Sequence, residues 1–149
     1  MDLKYHFLAS ALLAAALYPL FGINSLWAFA GGFFIDIDHY LYATVRQKQF
    51  NPIKVYRFCK GNKKDFKYML HIFHTVEVWI TLFILSLFSK VFLLISAGLI
   101  VHMSMDFIQS YYRRIGINYC RAISLIEWII KRDHIKKVPK IYSSSKLMR

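Results

Sequence analysis

Hydrophobic positions along this chain come in long blocks rather than in strict alternation. Residues 7–21 run without a charge, and after Gly22-Ile23-Asn24-Ser25 the apolar pattern resumes over 26–35. Residues 69–89 are 21 consecutive positions whose ionisable members are His71, His74 and Glu77 alone. Residues 91–112 are 22 more, interrupted by His102 and Asp106. A helix needs ~20 apolar residues to cross the hydrocarbon core of a bilayer, so these blocks predict an all-α, polytopic membrane protein. The expected crossings are 5–21, 25–44, 69–89 and 91–112, a four-helix transmembrane bundle. The second is the poorest in apolar residues, because Gly31-Gly32 and Asp36-Ile37-Asp38-His39 interrupt it. That fits a helix broken near its end and buried by its neighbours. Lys4, the first block and Ala28-Phe29-Ala30 loosely imitate a secretory signal, but the apolar stretch far exceeds the ~7–15 residues of a signal core. It is read as a transmembrane helix.

Composition changes the picture in one respect. Hydrophobic residues make up 57% of the 149, yet 20 are Lys or Arg and the net charge is +12. A mean hydropathy of +0.38 with so much charge requires that the two be segregated along the chain. They are. Lys4 precedes the first block, eight basic residues fall in 44–68, only Lys90 separates the third and fourth blocks, and ten follow Tyr112. The positive-inside rule then predicts the N-terminus, the 44–68 loop and the C-terminus in the cytoplasm, which needs an even number of crossings. The chain divides into a membrane domain, 1–112, and a basic cytoplasmic tail, 113–149. Within the tail, apolar positions 119, 123, 126 and 130 alternate with Arg121, Glu127 and Lys131, as in an amphipathic interfacial helix. Ser143-Ser144-Ser145 reads as a frayed end.

The basic charge has two readings, nucleic acid or an anionic lipid surface. Its position beside membrane blocks favours lipid, which offers about 1 kcal/mol per basic residue near the surface. Membrane lipids are therefore the expected partners and nucleic acid is not. Cys59 and Cys120 lack metal-ligand spacing and are expected as reduced thiols. There is no Gly-x-Ser-x-Gly element to support a nucleophilic serine.

The chemistry lies in the ionisable residues inside the apolar blocks, which are costly there and by default mark function. At ~1.5 Å per residue, Asp106 is about 9 Å and His102 about 15 Å from the end of the fourth block. His6 opens the first helix, Asp36, Asp38 and His39 close the second, and His71, His74 and Glu77 open the third. All fall in one half of the bilayer, although the topology came from Lys and Arg alone. His102 and Asp106 share a helix face, as do Asp36 and His39. Asp38 sits roughly 200° from Asp36 on an ideal helix, so both meet one ion only if the helix unwinds. Histidine with carboxylate is a ligand set for zinc, or second for manganese. The expected metal ligands are His6, Asp36, His39, His71, His102 and Asp106. Asp38, His74 and Glu77 are expected in catalytic roles, as general base, as holders of a second ion or as orienting groups. His134 lies in the basic tail and is expected to be solvated.

This pattern resembles the YdjM-like family of LexA-binding, inner-membrane-associated metal-dependent hydrolases. The matching residues are His6, Asp36-Ile37-Asp38-His39, His71 with His74, and His102 through Asp106, covering about 1–112. The chain departs from the family at Ile35, where Pro is usual, and in the spacing of the paired histidines. The family is described as similar to zinc-dependent phospholipase C in its His and Asp ligands. The resemblance therefore implies a membrane-embedded hydrolase acting on a phospholipid or other lipid phosphoester, with Lys67, Arg113 or Arg114 drawing in an anionic headgroup. The alternatives are a non-catalytic ion or proton site and a metal-stabilised scaffold. Transport is disfavoured by 82–88 and 91–99, which are nearly devoid of polar residues.

Overall fold

The computed structural model describes residues 3–48, 50–60, 70–112 and 123–135, and every regular element among them is helical. Helix α1 spans Leu3–Phe21. It ends where sequence chemistry requires: Pro19 cannot donate to the preceding turn, and Gly22 takes the left-handed φ of 54° that closes helices. A 3-10 turn, Gly22–Ser25, leads into α2, Leu26–Phe33. If this stretch were straight, Ser10 and Gly32 would stand ~33 Å apart at 1.5 Å per residue. Instead a Cβ placed on Gly32 would fall on the Ser10 hydroxyl, and Phe7 meets Phe29 and Phe33 edge-on at 5.4 Å. The two helices are thus a hairpin.

A second 3-10 turn, Phe34–Asp36, breaks the chain before α3, Ile37–Gln47, which ends at Lys48 with φ 51°. Helix α4, Pro52–Lys60, lies in the stretch expected as a basic loop. Asn51 caps it, its Oδ1 accepting the Ile53 and Lys54 amides at 3.0 and 3.2 Å. After a third 3-10 turn, Ile72–His74, come α5, Val76–Ser86, and the long α6, Lys90–Tyr112. Helix α7 covers Leu125–Ile135. Its first turn is capped by Ser124, and Lys131 grips Glu127 at 2.8 Å, holding that carboxyl below its ordinary pKa.

The helices meet along stripes of small or polar residues. On α1 the buried positions are His6, Ser10 and Ala14, each one turn from the next. Ala28 and Gly32 form the stripe of α2, and Leu94, Gly98 and His102 that of α6. Small residues let backbones approach closely, the usual device of helix packing in lipid. A Cβ on Gly98 would strike the Ala28 carbonyl, and one on Gly31 the Ile95 carbonyl. The stripes of α1 and α6 run directly into histidines.

Burial is inverted relative to a water-soluble fold. Buried polar residues include His6, Ser10, Asp38, His71, His74 and His102, while large apolar side chains such as Leu20, Phe83, Leu87 and Phe88 are exposed. Two stretches, Leu3–Tyr42 and Lys90–Gln109, are long and apolar enough to cross a membrane. Helix α5 is a shorter apolar helix of 11 residues. The expected third helix over 69–89 is therefore corrected. His71 is extended and Thr75 lies at φ −84°, ψ 149°, so regular helix begins only at Val76. The local cause is Asp38, whose Oδ2 accepts the Phe73 amide at 3.1 Å.

Candidate metal centre

Five of the six histidines converge with three aspartates at the end of the α1–α2–α6 stripes. His6 comes from the first turns of α1, Asp36 from the 3-10 turn before α3, and Asp38 and His39 from the first turn of α3. His71 and His74 flank the turn before α5, and His102 and Asp106 lie one turn apart on α6. His6, His71 and His102 are each 1% exposed and His74 is 5% exposed.

Asp36 is at the centre. Its Oδ1 stands 3.4 Å from the Nε2 atoms of His39 and His102 and 3.8 Å from that of His74. Its Oδ2 lies 4.0 Å from His6 Nε2. Asp106 closes the other side, Oδ1 at 3.4 Å from His6 Nε2 and Oδ2 at 3.8 Å from His102 Nε2. The rings of His6 and His102 stack with centroids 4.0 Å apart.

These separations are too long for good hydrogen bonds. They are close to the distances between ligands sharing an ion: donors ~2.0–2.2 Å from a tetrahedral centre stand ~3.3–3.6 Å from one another. Among the described residues, Nε2 of His6, His74 and His102 and Nδ1 of His6 are buried without a hydrogen bond. Leaving such a group unsatisfied costs ~1–3 kcal/mol. The donor set, its spacing and its unsatisfied nitrogens thus fit a bound divalent ion. Four triads bring ligand atoms within 4.8 Å of one another: His6, Asp36, His102; Asp36, His39, His74; Asp38, His39, His71; and His74, His102, Asp106.

The surrounding backbone orients these rings. His102 Nδ1 donates to the Gly32 carbonyl at 2.7 Å, which leaves the Nε2 lone pair directed at Asp36 and Asp106. His74 Nδ1 donates to Asp38 Oδ2 at 3.1 Å, so its Nε2 faces Asp36 in the same way. Asp38 therefore positions His74, the orienting role among those expected for it. Asp38→Asn is expected to weaken divalent-ion binding roughly 10–100-fold, measured by competition against a chromogenic chelator. Unchanged affinity would show that Asp38 does not set that ring.

Glu77 is not brought to the cluster. Its carboxylate faces the start of α7 and accepts from Ser124 Oγ at 2.5 Å and the Leu125 amide at 3.0 Å. The Val76 amide donates to the Ile123 carbonyl at 3.0 Å, so α5 and α7 are joined N-terminus to N-terminus. A carboxylate suits that place because it meets unpaired amides and the positive end of the helix dipole. Glu77→Ala is expected to leave metal content unchanged while exposing 123–135 to limited proteolysis. Loss of metal in that variant would return Glu77 to the site.

Two partners of the cluster were beyond side-chain reasoning, the Gly32 carbonyl and the Phe73 amide. Lys67, Arg113, Arg114 and Cys120 lie outside the described residues, as do the side chains of Cys59 and His134. No protein-family model, curated protein or solved structure matches the chain.

Proposed function

We propose that the chain is a multi-pass membrane hydrolase whose buried His/Asp centre holds a divalent ion, zinc first and manganese second. The observation that carries this reading is the convergence of His6, Asp36, His102 and Asp106. They come from three separate parts of the chain, with donor separations of 3.4–4.0 Å. Intramembrane histidine and carboxylate are too costly to be gathered for packing alone.

Four crossings are supported by the apolar exterior and by the chemistry of the third. Its irregular part around the 3-10 turn has partners for three amides: His74 on the His71 carbonyl, Thr75 on that of Ile72, and Phe73 on Asp38. Irregular backbone at membrane depth is tolerated where protein buries it, and His71, His74 and Thr75 are buried. Helix α7, with Ile126, Ile129 and Ile130 exposed, suits the cytoplasmic interface. The charge distribution puts both termini on that side.

An ion held here supplies Lewis acidity toward a scissile ester and toward water. His6, His74, His102, Asp36 and Asp106 would hold it. Gly32 and Asp38 fix the His102 and His74 rings so that no reorganisation is needed on binding. The buried imidazoles exclude bulk water from the centre's inner side. Side-chain exposure rises from zero at His102 to 19% at Asp36 and 31% at His39, so substrate approaches along the Asp36–His39 edge. A lipid phosphoester is proposed from the family resemblance and from the basic residues beside the predicted cytoplasmic face. The test is release of headgroup or phosphate from phosphodiester and phosphomonoester lipids in mixed micelles. Turnover lost to chelator and restored by zinc or manganese is expected. No release across the panel by fully metal-loaded protein would sink the hydrolase.

A further inference from the structure

The donors form overlapping triads joined where Asp36 and His39 meet, and two of these triads share no residue. His74, His102 and Asp106 form one triad, with His6 and Asp36 on its flank, and Asp38, His39 and His71 form another. We propose that Asp38, His39 and His71 hold a second divalent ion, beside the first, so that the centre is dinuclear. This rests on the metal-centre reading above and does not depend on which ester, if any, is cleaved.

The second triad has its own geometry, tied to the first through Asp38 and His39. Asp38 is 5% exposed, and its two oxygens face different ways. Oδ2 is engaged by the Phe73 amide and His74 Nδ1, both at 3.1 Å. Oδ1 is buried without a hydrogen bond and stands 3.7 Å from His71 Nδ1. The locked Oδ2 fixes the carboxylate plane and thereby aims Oδ1 at the triad. His39 is drawn in against His71, their ring centroids 3.6 Å apart and tilted by 36°.

The two groups adjoin through Asp36 and His39, whose Oδ1 and Nε2 are 3.4 Å apart. They are tied again by Asp38, which orients a ligand of one ion while offering its other oxygen to the second. Charge points the same way. One divalent ion does not neutralise the carboxylates of Asp36, Asp38 and Asp106, whereas two do and leave one positive charge over. The Asp36–His39 edge is the more accessible side of the cluster, where an anionic substrate would meet that surplus. Paired ions suit phosphoester cleavage because both the entering and the departing oxygen carry developing charge.

The full chain, purified in detergent and stripped with chelator, is titrated with Mn(II) and followed by elemental analysis and electron paramagnetic resonance. Wild type is expected to take up two equivalents and to show a spin-coupled spectrum. His71→Ala and the polar variant His71→Gln are expected to keep native helicity, bind one equivalent and give an uncoupled Mn(II) signal. Saturation of wild type at one equivalent would overturn the second site whatever the variants do. So would two equivalents retained in a folded His71 variant. Two coupled ions in a protein without turnover on any lipid ester would uphold the dinuclear centre and refute only the hydrolase.

Discussion

The double variant His102→Ala/Asp106→Ala is expected to purify from membranes as a helical protein that holds no divalent ion at the α6 site and turns over no substrate. Both residues project from one face of α6, and between them they approach His6 and Asp36 at 3.4 Å. Their removal strips the centre of the only ligands that α6 provides. It also deletes the His102–Gly32 hydrogen bond of 2.7 Å, so nothing remains to orient a donor from that helix. The effect on activity should exceed the roughly 10–100-fold that follows when only an orienting partner is lost. The fold is expected to survive, because the α2–α6 seam is also made where Gly98 meets Ala28 and Gly31 meets Ile95, a turn or more from His102. Elemental analysis beside circular dichroism and gel filtration separates the two effects. Wild-type metal content in the folded double variant would remove the α6 site, and the hydrolase with it.

The parts of this arrangement that were legible in the sequence are those set by long-range composition. Helices α1 and α6, expected at 5–21 and 91–112, run Leu3–Phe21 and Lys90–Tyr112, because a long apolar block bounded by Pro, Gly or Lys has few other solutions. The grouping of His6, Asp36, His102 and Asp106 followed from counting residues along those blocks. Local irregularity was less legible. The i,i+3 spacing of His71, His74 and Glu77 is that of one α-helical face, but it reports direction only inside an α-helix, which begins at Val76. Glu77 consequently points to Ser124, 47 residues on, a contact that no periodicity encodes. Two helix starts are written in the local sequence. Asn51-Pro52 is a helix start, and it opens α4 in what reads as a basic loop. Ser124-Leu125-Ile126-Glu127 is a capping box, and it opens α7 at Leu125, while 119–122 of the expected amphipathic helix lie outside the described residues. The Gly32 carbonyl was invisible for another reason: its part is played by backbone, and only the closeness of α2 and α6 brings it to His102.

That closeness makes Gly98→Leu the most damaging single change expected outside the ligands. Even a lone Cβ at 98 would overlap the Ala28 carbonyl and stand 2.6 Å from the Gly32 nitrogen. Both obstacles are backbone, so no rotamer change relieves the clash and α6 must move off α2. Overpacking a tight seam costs ~1–3 kcal/mol and occasionally more, and a four-carbon side chain at a backbone contact belongs at or above the top of that range. Gly98→Ala should fall lower and Gly32→Ala lower again, since the nearest obstacle there is the Ser10 hydroxyl, the end of a side chain. Thermal unfolding in detergent should follow that order. Metal affinity should fall with it, because displacement of α6 from α2 stretches the His102–Gly32 bond one turn along the same face and draws His102 away from Asp36. A Gly98→Leu protein as stable as wild type would mean that the helices do not approach this closely. A destabilised one with undiminished metal affinity would mean instead that the ligand cluster is held by α1 and the 71–75 segment, with the α2–α6 seam serving stability alone.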